Sequence, residues 1–409
     1  MNTTDKAMTI KEVAKFLNIS NQMVYNLVNN GSLPAFKIGS ASRIMYSDLV
    51  NYINNQKIEF NSARSHNDAQ DNTLFNVQLL NLQKGNFSLK DVSFQLPIGK
   101  IMTILGPSGS GKTMLLRSIA GLEKITSGSV YMGDWSITDL SPANRKIGFV
   151  FEKYSLFPSM SARKNIDFPL KVRKQDSSII KNETAQRVSE LSIQKEYLNL
   201  LPELLPEGMK QLVSIAREKN HPTELLLLDE PMSQLDPQHH SRMRIFIQKI
   251  IRDMGKTTIM TFHGPEDALA LSDYIGIMDK GELVQFGETW EVYHHPDSLL
   301  IMEMLSKLGL NRIELAVKNG RSEPYGIEAD TPEGNYTMAF RPEDIRLLDK
   351  KEKREGIPVQ ILSSQLLDGR SRLALCKITG EDKELRLLIP LDTDQEFSIL
   401  PLKPAFFQG

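Results

Sequence analysis

Eight residues, Gly106-Pro107-Ser108-Gly109-Ser110-Gly111-Lys112-Thr113, follow directly on the apolar run Ile101-Met102-Thr103-Ile104-Leu105. A strand running into a glycine-rich loop that opens a helix is the context in which this spacing makes a phosphate cradle. Glycines let the chain wrap a phosphate with its amides facing inward, and the positive end of the next helix adds to the attraction. Lys112 is spaced to reach the β- and γ-phosphates, and the Thr113 hydroxyl to ligate Mg²⁺. A chance glycine loop would not fill every fixed position behind a strand. The pattern predicts an α/β layer that binds a nucleoside triphosphate such as ATP together with magnesium.

At 409 residues the chain exceeds what one core supports and fits two to four domains. A net charge of −1 gives no global electrostatic pull towards nucleic acid or membrane, so any such surface is local. The single Cys376 excludes an internal disulfide and suits a reducing cytosol. No apolar stretch approaches the roughly eighteen residues of a spanning helix. The first six residues are polar and lead into an amphipathic helix, unlike a signal peptide. The expected location is therefore cytoplasmic, with a partner supplying any membrane part.

Texture divides the chain into four segments: 1–58, a linker over 59–73, 74–306, and 307–409. The stretch NSARSHNDAQDNT is small, polar and unpatterned, as a flexible linker is. From Leu74 to Ser306 strands and helices alternate, the signature of a parallel α/β layer. After Leu310 short alternating strands with turns such as Lys318-Asn319-Gly320 predict a small β-rich domain, a barrel of the OB type.

In the first segment Thr9 precedes Ile10-Lys11-Glu12-Val13, a capping-box arrangement at a helix start. Asn18-Ile19-Ser20 reads as a tight turn, and Ser20 can cap a second helix through Val24, Tyr25 and Leu27. Two short helices joined this way form a helix-turn-helix. One small β-like piece and a third helix opening at Ser47-Asp48 follow. This order resembles the winged helix-turn-helix of excisionase and MerR-like DNA-binding modules. By that resemblance the second helix enters the major groove, presenting Asn21, Gln22, Tyr25 and Asn26. Asn and Gln can read adenine edges, while Lys37 and Arg43 flank the wing and would touch phosphates. A helical docking or oligomerisation module is the alternative. Residues 1–60 hold only six Lys/Arg against four Asp/Glu, a weak basic excess for a DNA reader.

Downstream, Leu225-Leu226-Leu227-Leu228-Asp229-Glu230 reads as a buried strand ending in two carboxylates. Asp229 suits a magnesium shell, and Glu230 is placed to polarise an attacking water. A further strand, Thr257 to Phe262, presents His263, which can sense and stabilise a γ-phosphate. This constellation resembles the ATP-binding-cassette (ABC) family over about residues 74–305. The runs Asn86-Phe87-Ser88-Leu89 and Tyr154-Ser155-Leu156-Phe157-Pro158 are similar to the molybdate, tungstate and sulfate importer branch. Met338 to Asp344 resembles the start of the small TOBE-like β-barrel such subunits carry. The resemblance implies a dimer, a homodimer or a heterodimer with a second ABC subunit, enclosing two ATP and docked on a membrane permease served by a solute-binding protein. It places the adenine-stacking aromatic near Phe87, which could equally be a sheet-core residue.

Two departures stand out. Where the family reads Leu-Ser-Gly-Gly-Gln, this chain reads Leu205-Pro206-Glu207-Gly208-Met209. Of the residues that should meet the nucleotide of the opposite subunit, Gly208 is kept. Pro206 has neither hydroxyl nor N–H, and Glu207 is expected to turn a negative charge towards a triphosphate. The second departure is Glu152, where the family has glutamine; a carboxylate there can still bind Mg²⁺ but adds charge beside the phosphates. The favoured reading is an ATP-binding importer subunit with a DNA-binding head and weak hydrolysis. A soluble ATP-responsive DNA-binding regulator is the alternative. A degenerate fusion product is a third, opposed by the retention of Lys112, Thr113, Asp229, Glu230 and His263.

Overall fold

The computed structural model describes residues 7–17, 24, 28, 33–38, 41–45, 48–49, 74–234, 237–348 and 356–408. The chain divides into two units, Met1–Thr73 and Leu74–Gly409. In the first, β1 (Ala7–Thr9) leads into α1 (Ile10–Leu17), followed by β2 (Phe36–Ile38) and β3 (Ala41–Met45). Helix α1 starts where expected. The Glu12 amide donates to Thr9 Oγ1 at 3.1 Å, and the Thr9 amide donates to Glu12 Oε2 at 2.8 Å, so two orphan donors are met reciprocally. Val13 and Ala14 pack with Met8, Val24, Leu33, Ile44 and Leu49.

Among the described residues of this unit the sheet has three antiparallel strands in the order β1-β3-β2, more than the single β-like piece expected. Strand β1 is three residues long, too short for a periodic signal, and is fixed by Met8 pairing with Ile44, both buried. Val24, Val28, Asp48 and Leu49 are helical. The proposed turn at 18–20, the helix residues Asn21, Gln22, Tyr25 and Asn26, and the linker 59–73 lie outside the described residues.

In the second unit a hairpin of β4 (Leu74–Lys84) and β5 (Phe87–Pro97) precedes β6 (Ile101–Leu105) and α2 (Lys112–Ile119). Then come β7 (Ser127–Met132), β8 (Trp135–Ser136), β9 (Ile147–Val150), α3 (Ala162–Val172), α4 (Ser177–Glu190) and α5 (Glu207–Lys219). Strand β10 (Leu225–Leu228), α6 (Pro237–Met254), β11 (Thr257–Phe262), α7 (Pro265–Leu271), β12 (Tyr274–Asp279), β13 (Glu282–Glu288), α8 (Thr289–His294) and α9 (Leu299–Met304) complete the layer.

Six strands form the central sheet in the order β13-β12-β6-β11-β10-β9, all parallel but the edge strand β13. Its inner strands β6, β11 and β10 are buried throughout, which is why they read as largely apolar runs. Successive side chains part between two cores. Leu226 and Leu228 pack with the helices α3, α5 and α6. Leu225 and Leu227 pack instead with α2 and with Phe75, Val77, Phe94 and Leu96 of the hairpin. That hairpin belongs to a separate antiparallel sheet, β5-β4-β7-β8. The single parallel layer expected from the sequence is therefore two layers of strands. The period-2 burial of β4 and β5, joined by a two-residue loop at Gly85, is the local cause.

Among the described residues from Asn311 onward, β14 (Asn311–Lys318), β15 (Arg321–Glu323), β16 (Gly334–Phe340) and β22 (Ala405–Gln408) form one sheet in the order β15-β14-β16-β22. A second sheet, in the order β17-β21-β18-β19-β20, is made of β17 (Ile345–Leu348), β18 (Ile357–Leu366), β19 (Ser371–Ile378), β20 (Glu384–Pro390) and β21 (Glu396–Pro401). The two sheets share one core, with Ile313, Met338, Phe340, Val359, Cys376 and Ile389 all buried. The β-rich domain is as expected. The expected Asn319-Gly320 turn is present, with positive φ at both residues, where these two residue types cost least. Just past β16, Arg341 is 3 % exposed; it donates to the Tyr293 carbonyl at 2.7 Å and lies 3.7 Å from the Tyr293 ring centre, joining this domain to α8.

Candidate nucleotide site

Four neighbouring strands of the parallel sheet, in the order β6-β11-β10-β9, deliver the expected residues from their carboxyl ends. Strand β6 runs into the Gly106–Thr113 loop, β11 into His263, β10 into Asp229 and Glu230, and β9 into Phe151-Glu152. The crevice beyond the carboxyl ends of parallel strands is where α/β layers bind ligands. A cavity of about 440 Å³ opens there, lined by Phe87, Ser108, Gly109, Gly111, Lys112, Thr113, Met114, Glu152, Glu230 and His263.

The loop is built round backbone that only glycine tolerates. A Cβ on Gly106 would stand 2.3 Å from the Met278 carbonyl oxygen, and one on Gly111, at φ +112°, would stand 2.8 Å from Phe87 Cζ. Gly109 has nothing within 4 Å of a Cβ and faces open space. Lys112, 5 % exposed, donates to the Gly106 and Pro107 carbonyls at 2.8 and 3.2 Å. Burial holds its ammonium below the ordinary lysine range, against the pull of Glu230 and Asp229. Ser110 Oγ is buried without a hydrogen-bond partner. Phe87 is half-buried at the start of β5 and forms part of the cleft wall.

The acidic side is organised by hydroxyls. Thr113 Oγ1 donates to Asp229 Oδ1 at 3.0 Å, and Thr261 Oγ1 donates to the same oxygen at 2.8 Å while accepting from the Glu230 amide at 2.9 Å. Glu230 has φ +47°, a strained conformation of the kind that persists at sites that need it. His263 Nε2 lies 2.7 Å from Glu230 Oε1. Burial pushes both carboxyls up. Asp229 is pulled back by its bonds from Thr261 and Thr113, and Glu230 by His263 and Lys112. Glu152 raises both further through its charge.

The residues present fit magnesium. Among the described residues no group of three His, Cys, Asp or Glu is placed to hold a metal alone. Mg²⁺ is commonly held by one or two carboxylates together with substrate phosphates, and Thr113, Asp229 and Glu152 are the side chains that would contribute. The positive charge of such an ion would supply charge neutralisation beside the phosphates. Glu230, paired with His263 at 2.7 Å, is the remaining carboxylate of the cleft and is not among those residues. Thr261 was missed in the sequence, although a threonine in an all-buried strand two residues before His263 is a usable signal.

The remaining expected residues lie elsewhere. Pro206 precedes α5, whose first turn carries Glu207. The Glu207 carboxylate, expected to turn its charge towards a triphosphate, is engaged within its own chain. Lys210 Nζ lies 2.6 Å from Glu207 Oε1, and the buried Tyr154 hydroxyl donates to the same side chain. Gly208 sits in that first turn and does not line the cleft. A second cavity of about 310 Å³ lies alongside, lined by residues including Tyr154, Glu203, Glu207, Lys210 and Gln234. In the first unit, Lys37 pairs with Ser42 and Arg43 with Phe36. Paired residues share a face and successive ones alternate, so Lys37 and Arg43 emerge on opposite faces of the hairpin.

A glycine-rich phosphate loop, a strand-end carboxylate pair and a strand-end histidine on one parallel sheet define a P-loop nucleotide-binding protein. A family model described as "ABC transporter" matches residues 89–233, and one described as "Helix-turn-helix domain" matches residues 7–57. The chain is 35 % identical over 302 residues to an Fe(3+) ions import ATP-binding protein of Fusobacterium nucleatum, covering 71 % of this chain and 81 % of the relative. It is 35 % identical over 316 residues to a sulfate/thiosulfate import ATP-binding protein of Mesorhizobium japonicum (74 % and 89 % covered). It is 33 % identical over 327 residues to an sn-glycerol-3-phosphate import ATP-binding protein of Vibrio cholerae (77 % and 87 %). The chain belongs to the ABC transporter family, among the import ATP-binding proteins, and carries an N-terminal helix-turn-helix domain. No helix among the described residues is long and apolar enough to cross a membrane.

Proposed function

We propose that this chain is the ATP-binding subunit of an importer for an oxyanion such as molybdate, tungstate or sulfate, or for a solute bearing one. It acts at the cytoplasmic face of a membrane, with residues 1–58 as a DNA-binding head, 74–306 as the cassette and 307–409 as a TOBE-like, OB-type regulatory barrel. The observation that carries this reading is the cleft in which Lys112, the Thr113–Asp229 bond and the Glu230–His263 pair converge. In it Gly106 to Thr113 cradle the phosphates, Phe87 stacks on the base, and Thr113, Asp229 and Glu152 take the magnesium. Two of the three relatives named above are import proteins for anions, sulfate/thiosulfate and sn-glycerol-3-phosphate, which favours an anionic solute.

A second ABC subunit completes the dimer, and a permease with its solute-binding protein completes the importer. An apolar groove of about 360 Å³, lined by Phe149, Phe151, Phe157 and Phe168 among others, flanks the strand that leads to Glu152 and suits an apolar segment of the permease. Calorimetry of the full chain with Mg-ATP tests the core of the reading. Binding with micromolar affinity, lost in Lys112→Ala, is the expected result, and no heat in the unaltered protein refutes it.

The helix-turn-helix match favours a second reading, in which the cassette acts as a nucleotide sensor for a DNA-binding regulator without a permease. Selection from random duplexes, with Asn26→Ala and Arg43→Ala as controls, separates the two roles of the head. No enrichment leaves it a protein-docking module. Co-purification of a permease with the tagged chain favours transport, and its absence the regulator.

A further inference from the structure

Gln234 lies four residues after Glu230 and has no role in the reading above. Its Nε2 donates to Glu152 Oε1 at 3.3 Å and stands 3.5 Å from Ser233 Oγ. Glu152 lines the nucleotide cleft, while Gln234 lines the adjoining cavity beside Tyr154 and Glu207. This exposed amide therefore ties the cleft carboxylate to the adjoining cavity.

The electrostatics make such a donor useful. Glu152 is a third carboxylate beside Asp229 and Glu230, and its charge is felt by both. Among the described residues no Lys, Arg or His forms an ion pair with it. Like charges crowded in a half-buried cleft repel, so an unrestrained Glu152 side chain would swing towards solvent. A neutral amide donor fixes one oxygen without cancelling the charge, and leaves Oε2 free. Carboxylates that ligate metals are themselves held by such outer hydrogen bonds, and removing the outer partner typically costs about 10- to 100-fold in metal affinity.

We infer that Gln234 is a positioning residue for the divalent cation of the nucleotide: it holds Glu152 ready to join Thr113 and Asp229 as a magnesium ligand. This rests on the nucleotide reading above. The bond also explains how the chain accommodates an acidic residue at position 152. The side chain that adds charge to the cleft is restrained by one that adds none.

The test uses calorimetry of ATP binding to the full chain, with magnesium and with EDTA. In the unaltered protein magnesium strengthens binding. In Gln234→Leu that gain falls roughly tenfold, while affinity in EDTA stays the same. Glu152→Ala, which removes the oxygen ligand, loses a similar part of the gain, and the double variant with Gln234→Leu is no worse than either single one, because both act on one ligand. The exchange Glu152→Gln/Gln234→Glu, which keeps one carboxylate and one amide in contact, recovers part of the gain. An undiminished magnesium gain in Gln234→Leu overturns the inference and leaves the nucleotide reading standing. An equal loss in EDTA also overturns it, since that marks a general structural role. No nucleotide binding by the unaltered chain brings down both.

Discussion

The nucleotide cleft and the head of helix α5 offer a comparison within one layer. In the cleft, each functional group is held by a neighbour that leaves it able to act outward. Lys112 is braced on the loop carbonyls, Asp229 by two threonine hydroxyls, and Glu230 by His263. At the head of α5 the same kinds of group are turned inward. Pro206 offers no N–H, and the first-turn Glu207 lies where a helix N-terminus would favour an anion, tied to Lys210 and Tyr154. One surface is prepared to receive a phosphate, and the other already holds its own negative charge.

If the second surface is the deficient half of a dimeric site, the largest effect belongs to its repair. The isolated chain is expected to bind Mg-ATP but to hydrolyse it slowly. Pro206→Ser combined with Glu207→Gly should raise turnover by about 10²- to 10³-fold, the range that one preorganised donor supplies. Steady-state phosphate release measures it. Rapid Glu230-dependent turnover by the unaltered homodimer would erase the contrast between the two surfaces.

The cleft side is sharpened by Lys112→Ala. A hydrogen bond from a charged donor contributes about 1.5–3 kcal/mol, so Mg-ATP affinity should drop roughly 10- to 100-fold, and the melting temperature should fall as the Gly106 and Pro107 carbonyls lose their donor. Calorimetry and a thermal melt together read this. Unaltered affinity would mean that the lysine merely braces the loop through Gly106 and Pro107.

Much of the cleft was legible because its parts are local. A loop of fixed spacing behind an apolar strand, two acids ending a leucine run and a histidine ending another strand each announce themselves within a dozen residues. The parallel sheet then brings strand ends together without further instruction. What escaped was long-range. The Tyr154–Glu207 contact, the Glu152–Gln234 bond and the Arg341–Tyr293 stack join residues about fifty or more positions apart, and no periodicity encodes them. The antiparallel sheet escaped for another reason. Strands β4 and β5 alternate as half-buried strands do, yet were absorbed into the dominant α/β rhythm.

A smaller effect distinguishes a rigid cleft from an adaptable one. Gly111→Ala places a methyl 2.8 Å from Phe87 Cζ at φ +112°. The backbone strain alone costs about 1–2 kcal/mol, read as a lower melting temperature. Nucleotide affinity should fall with it, because the same residue caps α2. Stability lost without affinity would place the phosphates away from this turn.

The smallest expected effect is the most discriminating for Glu207. Its pair with Lys210 spans one helical turn, with side chains 46 % and 21 % exposed, and solvent-exposed pairs of this kind are worth only about 0.3–0.5 kcal/mol. Glu207→Gln keeps an acceptor for the Tyr154 hydroxyl while removing the charge. The melting temperature should move by about 1 °C, and Mg-ATP affinity not at all, because the carboxylate is engaged within its own chain. If affinity instead rises severalfold in the isolated protein, the charge of Glu207 is reaching a bound triphosphate after all. Lys210 and Tyr154 would then be too weak a restraint to keep the two surfaces apart.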